Sequence, residues 1–185
     1  DNFIILMPGR LTNWKGQKLF IEAIRLLSLK DDIKNFTAII LGDEQGRNVY
    51  KKQLMGLVEK YRLSKTVKFI NSCNEMPAAY KIANLVVSAS IEPEAFGRVS
   101  VEAQSMEVPI IASDIGGSKE TIIKDKTGFL FKSADSQALA NTITMVMKKD
   151  YNSLKSIGLE GRKNVLKKFD VDKMCRTTFT EYKKL

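Results

Sequence analysis

Several short stretches of this chain are apolar at every position rather than at every second one: Phe-Ile-Ile-Leu-Met at 3–7, Ala-Ile-Ile-Leu at 38–41, Leu-Val-Val at 85–87 and Ile-Ile-Ala at 110–112. A strand with one face in water alternates, so unbroken apolar runs belong to strands covered on both faces. The runs stop at turn-forming residues, among them Pro8-Gly9, Gly42-Asp43 and Ser113-Asp114-Ile115-Gly116-Gly117. Helical spacing then takes over, with Leu19, Phe20, Ala23, Ile24 and Leu27 after the first run and Leu54, Leu57 and Val58 after the second. Parallel strands need such crossovers, and the pattern predicts an α/β chain: a doubly wound parallel sheet of about six strands with helices on both faces.

In chain order, strands are predicted at 3–7, 38–41, 66–70, 84–88, 109–113 and 128–131. The strand at 66–70 alternates and is read as peripheral. Helices are predicted at about 49–61, 76–82, 136–148 and 154–168, with a short one through 120–123. A last helix is predicted to end at Leu185, capped by Asp170 or Asp172. Crossovers should be right-handed and ligands should sit at the carboxyl ends of the strands. Arg10 and Lys15, Gly42 and Asp43, Glu94, and Gly116 and Gly117 all fall there. No internal repeat or low-complexity linker divides the chain.

The stretch Pro93-Glu94-Ala95-Phe96-Gly97-Arg98-Val99-Ser100-Val101-Glu102-Ala103 concentrates the chemistry. It leaves the fourth strand and enters a helix, whose mouth at Phe96, Gly97 and Arg98 offers free backbone N–H groups and a positive dipole end. Glu94 precedes the mouth, and the helical rise lets Glu102 face back toward it. An anion seat between two acceptors suits a phosphate flanked by hydroxyl groups. Acids at a helix N-terminus can equally serve the dipole alone. Arg10 and Lys15 place two cations at the end of the first strand, as surface charges or as a phosphate grip. Gly116-Gly117 fits either a close ligand approach or a tight turn.

Other chemistries are excluded. The chain has no histidine, so imidazole bases, Ser-His-Asp and Cys-His nucleophiles and His metal sites are absent from it. Neither Gly-x-x-x-x-Gly-Lys-Ser/Thr nor Gly-x-Gly-x-x-Gly follows a strand. Asp170-Val171-Asp172 reads as helix capping rather than a metal motif. Cys73 and Cys175, the two cysteines, lack metal spacing and read as reduced thiols. The net charge of +9 favours anionic partners: nucleic acid, acidic membrane or a phosphorylated small molecule. The aromatic-interleaved basic motifs of RNA-binding modules are missing, so no nucleic-acid partner is expected. No charged, apolar leader opens the chain, and no signal peptide is expected.

Glu94 and Glu102, with seven residues between them, resemble the E-x7-E motif of retaining GT-B glycosyltransferases, most closely glycosyltransferase family 4 (glycosyl transferases group 1). Gly9-Arg10-Leu11 with Lys15-Gly16 resembles that family's Gly-Arg-Leu…Lys-Gly loop. Val108-Pro109-Ile110-Ile111-Ala112 with Gly116-Gly117 and Glu120 resembles its strand and Gly-Gly turn. The sequence departs at Gly42-Asp43-Glu44, where a second glycine is usual. The resemblance implies the C-terminal, donor-binding half of a GT-B fold: a Rossmann-like domain over 1–170, then a helix over 171–185 that crosses back to an N-terminal acceptor domain.

By position, the resemblance implies that Gly9, Arg10 and Lys15 bind the diphosphate of a UDP-sugar or GDP-sugar. Glu102 takes the ribose hydroxyls and Glu94 those of the transferred sugar. Backbone groups of Phe96, Gly97 and Arg98 complete the contacts, and the segment around Cys73 lies by the base. Arg10, Lys15 and Glu94 are the expected catalytic set, with no metal and no cofactor. The implied reaction is retaining transfer to a glycan or lipid-linked acceptor in cell-envelope or lipopolysaccharide synthesis, in the cytoplasm. The basic charge adds an expectation of peripheral association with the inner face of the plasma membrane. A GT-B-fold epimerase and a non-catalytic nucleotide-sugar-binding module are the alternatives.

Overall fold

A computed structural model describes residues 2–46 and 48–184. Six strands form one sheet in the order β3-β2-β1-β4-β5-β6, and every pairing is parallel. The strands are β1 (Phe3–Pro8), β2 (Phe36–Leu41), β3 (Val67–Ile70), β4 (Leu85–Ser88), β5 (Ile110–Ser113) and β6 (Phe129–Phe131). Between them run α1 (Gln17–Ser28), α2 (Asn48–Lys60), α3 (Met76–Lys81), α4 (Arg98–Ser105) and α5 (Ser118–Thr121), followed by α6 (Ser136–Met147), α7 (Tyr151–Lys168) and α8 (Val171–Tyr182).

The two faces of the sheet explain the unbroken apolar runs. Ile5, Met7, Ala38, Ile40, Leu85 and Val87 pack on one side with Phe20, Ile24, Leu139 and Ile143. Leu6, Ile39, Leu41, Val86, Ile110 and Ala112 pack on the other with Tyr80 and Ala103. Neighbours in sequence therefore belong to different cores, as the alternating direction of Cβ along a strand requires. β3 is an edge strand: Val67 is buried, Lys68 is exposed and Ile70 is 47% exposed.

Some boundaries differ from the expected ones. α7 begins one turn early because Asp150 caps it, accepting from the Ser153 amide at 3.0 Å. α5 stops at Thr121: Ile122 is extended, and the Ile123 amide donates to Thr127 Oγ1 at 2.9 Å instead of continuing the helix. A 3-10 turn at Asn13–Lys15 was not signalled by any periodicity. Asp170 takes the N-cap position of α8, although its side chain accepts no capping bond. α8 ends at Tyr182; Leu185, the expected end, lies outside the described residues. No side chain of α8 is buried. Among the described residues no helix is long and apolar enough to cross a membrane.

Candidate functional site

The strand order reverses between β1 and β4, and a crevice opens there beyond their carboxyl ends, as the topology of such sheets requires. It has two adjoining lobes of about 530 and 620 Å³. The smaller lies over β1, β2 and β3, walled by Cys73, Met76, Tyr80 and Met106. The larger is lined by Trp14, Lys15 and the 93–98 segment. Gly9, Arg10, Arg98 and Glu102 border both lobes.

The loop after β1 is held from both sides by backbone bonds. The Gly9 amide donates to Leu41 O and the Leu11 amide to Asp43 O, each at 2.9 Å, while the Ile91 amide donates to Trp14 O at 2.8 Å. Gly16 ends the 3-10 turn at φ 78°, and a Cβ there would lie 1.9 Å from Ala89 O. Only glycine allows this approach of the two loops. The buried Gln17 side chain donates to Arg10 O at 2.7 Å, leaving the Arg10 side chain exposed at the junction of the lobes, within 3.5 Å of Gln45 Oε1.

Lys15 does not point into open space. Its Nζ lies 2.8 Å from Glu94 Oε2, both side chains being only 16% and 15% exposed, and 4.3 Å from the centre of the Trp14 ring. Ser90 Oγ donates to the other oxygen of Glu94. The cation expected at the diphosphate and the carboxylate expected at the sugar thus form an ion pair. Trp14 is half-buried beneath the lysine.

Gly116 and Gly117 pack against the acid loop. Cβ atoms there would fall 2.6 Å from Glu94 O and from Phe96 backbone atoms, and the Gly117 amide donates to Glu94 O at 2.7 Å. The close approach that the two glycines allow is that of the Glu94–Phe96 backbone, at the turn from β5 into α5. Phe96 is 45% exposed and meets Phe169 edge-on at 5.5 Å. Gly97 is the N-cap of α4, so the mouth of the helix opens into the larger lobe.

Glu102 lies on the next turn and does face the crevice. Its Oε2 accepts from Tyr80 Oη at 2.7 Å, and its Oε1 lies 3.5 Å from Arg98 Nε, whose side chain is 83% exposed. Burial, and after it the Glu102 bond, push the Tyr80 phenol well above its ordinary value, so the hydroxyl stays a donor. Cys73 is half-buried in the smaller lobe, its Sγ accepting from the Glu75 amide at 3.3 Å.

The nine residues of the expected donor site, Gly9, Arg10, Lys15, Cys73, Glu94, Phe96, Gly97, Arg98 and Glu102, therefore border this one crevice, as do Gly42 and Asp43, whereas Gly116 and Gly117 line neither lobe. Tyr80, Ser90 and Gln45 were not foreseen; a tyrosine on a short apolar helix and a serine after a strand carry no local signal. Among the described residues no group of three or more His, Cys, Asp or Glu side chains is placed to hold a metal ion.

A family model described as glycosyl transferases group 1 matches residues 1–164. The capsular polysaccharide biosynthesis glycosyltransferase CapM of Staphylococcus aureus is 29% identical over 170 residues, covering 91% of this chain and 43% of CapM. A glycosyltransferase crystal structure from Rickettsia africae ESF-5 superposes with TM-score 0.92 at 32% identity, over 100% of this chain and 48% of its own. Anabaena HepE, solved in complex with UDP-glucose, superposes with TM-score 0.91 at 30% identity, over 100% of this chain and 50% of its own. The chain thus spans about half the length of the proteins it matches.

Proposed function

Because the chain belongs to the glycosyl transferases group 1 family and has the Rossmann-like fold of one GT-B half, we propose that it binds the nucleoside-diphosphate-sugar donor of a retaining glycosyltransferase. The observation that carries this reading is the layout of the crevice: a lobe walled largely by apolar side chains, a junction bordered by Gly9, Arg10, Arg98 and Glu102, and a second lobe that holds the α4 mouth, Lys15 and Glu94. The first lobe suits a base, the junction a ribose and a diphosphate, and the second lobe a hexose, so the donor in this reading is a UDP-sugar or a GDP-sugar.

In this reading the smaller lobe takes the base beside Cys73 and Glu102 accepts from the ribose hydroxyls. Arg10, Gly9 and the amides of Phe96, Gly97 and Arg98 hold the diphosphate, and Glu94 orients the sugar. As the bond from the anomeric carbon to the diphosphate breaks, its electron pair stays on the leaving oxygen. The acceptor hydroxyl adds on the same face, which retains configuration, and its proton passes to the leaving diphosphate oxygen. Negative charge grows where Arg10 and the helix mouth already point, and preorganised groups of this kind are each worth ~2.7–4 kcal/mol in a transition state. Lys15 reaches the diphosphate by shifting from Glu94, whose second oxygen keeps its Ser90 bond. The leaving group is handled by these cations without a metal ion. Glu94 is an orienting group rather than half of a glycosidase carboxylate pair.

In this reading the donor domain spans 1–170, and the segment that follows, which carries α8, crosses to a further domain that binds a glycan or lipid-linked acceptor. Without that domain this chain alone binds donor but does not turn it over. The whole enzyme serves cell-envelope glycan or lipopolysaccharide synthesis, in the cytoplasm at the inner face of the membrane. Calorimetric titration of UDP, GDP and single-stranded RNA tests the reading. Saturable, Arg10-dependent binding of a nucleoside diphosphate is expected, and saturable binding of RNA alone sinks it. In the full-length enzyme Arg10→Ala should lower turnover ~100-fold or more.

A further inference from the structure

Glu102 can accept a ribose only if its carboxylate is held in one place within the crevice. Arg98, one turn earlier on the same helix, lies 3.5 Å from Glu102 Oε1 and is 83% exposed. An exposed pair four residues apart holds weakly, so that partner alone would leave the acid free to wander. The opposing hold comes from a different element. Tyr80, on α3, is 1% exposed; its ring is fixed in the apolar cluster with Leu6, Val86 and Ala103, and its hydroxyl donates to Glu102 Oε2 at 2.7 Å. A phenol anchored by its ring has little freedom to follow a wandering acid, so the acid must come to the phenol.

A carboxylate offers about four lone-pair directions. Tyr80 occupies one and Arg98 approaches another. The two that remain match in number the donors of a vicinal diol. We infer that Tyr80 is a positioning residue: it fixes the Glu102 carboxylate so that its free acceptors meet the 2′- and 3′-hydroxyls of the donor, and so makes the site selective for ribonucleotides over deoxyribonucleotides. This rests on the donor-binding reading above. It adds to that reading a residue of α3 whose hydroxyl acts through Glu102.

The test compares UDP with 2′,3′-dideoxy-UDP, and GDP with its dideoxy form, by calorimetry on the 185-residue chain. Three variants are compared with wild type: Tyr80→Phe, Glu102→Gln and the double substitution. Tyr80→Phe keeps the ring and removes only the donor. It should weaken the ribonucleotide ~10-fold, the scale of a hydrogen bond to a charged group, while the dideoxy form changes less than ~2-fold. Glu102→Gln should show the same split, and the double variant should lose no more than Glu102→Gln alone, because the hydroxyl then has no acid to position. Equal weakening of ribo and dideoxy forms, additive single effects, or unchanged ribonucleotide binding in Tyr80→Phe would each overturn the inference. So would a Tyr80→Phe chain that does not fold, since the hydroxyl would then serve the fold itself. A wild-type chain that binds neither ribonucleotide overturns the donor-binding reading as well, whereas Tyr80-insensitive binding overturns only this one.

Discussion

Lys15 and Glu94 face each other at 2.8 Å with about one sixth of each side chain exposed, and this pair makes a sharp prediction about stability. At an effective dielectric of ~20 the attraction is ~6 kcal/mol, and taking each ion out of water costs several kcal/mol, so the net value is small. Removing one partner is a different matter, because the survivor keeps its desolvation cost. A fully buried pair loses ~3–5 kcal/mol in this way; partial exposure here lowers the figure. Lys15→Met should cost ~2 kcal/mol, since the Glu94 stem is short and the Ser90 bond holds its carboxylate in place. Glu94→Gln should cost only ~1 kcal/mol, because the lysine can carry its ammonium out to solvent. The double variant should cost no more than ~2 kcal/mol, leaving a coupling of ~1 kcal/mol or more. Urea unfolding followed by far-UV circular dichroism measures this. With a slope of ~2 kcal/mol/M, Lys15→Met moves the midpoint down by ~1 M. If the two single losses simply add in the double variant, the ion pair does not stabilise the free chain and the reasoning fails.

Other outcomes follow from the packing and the charges. Gly56, exposed on α2, has no atom within 4 Å of an added Cβ, whereas at Gly158 on α7 that Cβ would lie 2.1 Å from Glu107 O. Gly56→Ala should therefore stabilise by ~1 kcal/mol and Gly158→Ala destabilise by ~3 kcal/mol, so thermal melts should move in opposite directions. Asn164 donates to Gln104 Oε1 at 3.2 Å and Thr121 O at 3.1 Å in the α4–α7 contact. Asn164→Leu strands the Gln104 oxygen and should cost ~2 kcal/mol by the same measurement. Hydrogen bonds from Lys148, Lys51, Ser153 and Lys163 hold Asp32, Glu44, Asp150 and Glu160 below their ordinary values of 3.8 for Asp and 4.5 for Glu. Groups lowered in the folded state stabilise above the ordinary value and lose that contribution as pH falls through the folded value. Melting temperature should stay level above about pH 5 and drop below it, and Asp150→Asn should flatten that drop.

The sheet was readable because burial on both faces leaves its mark on every residue of a strand: Ile5 and Leu6 serve opposite cores and neither could be polar. The crevice was readable because topology places loops, and the groups named from the sequence lie on loops at strand ends, at the α4 mouth or, for Glu102, one turn into α4. What stayed hidden depends on contacts between distant elements. That Tyr80 reaches Glu102, or that Lys15 is taken up by Glu94, requires knowing how α3 leans on α4 and how the loops after β1 and β4 meet. The early start of α7 was visible only in Asp150, a cap residue outside the apolar period. The end of α5 was set by Thr127, a residue beyond the helix itself.

The backbone bond from the Ile91 amide to Trp14 O, with those from Gly9 and Leu11 to the β2 exit, bears on motion. It ties the loop carrying both cations to the segment carrying Glu94, and ties that loop in turn to the central strands. Such loops cannot hinge independently. They should exchange amide hydrogens on the slow timescale of the sheet rather than the fast one of surface loops. Whatever closes over a bound molecule must then move against this floor rather than with it.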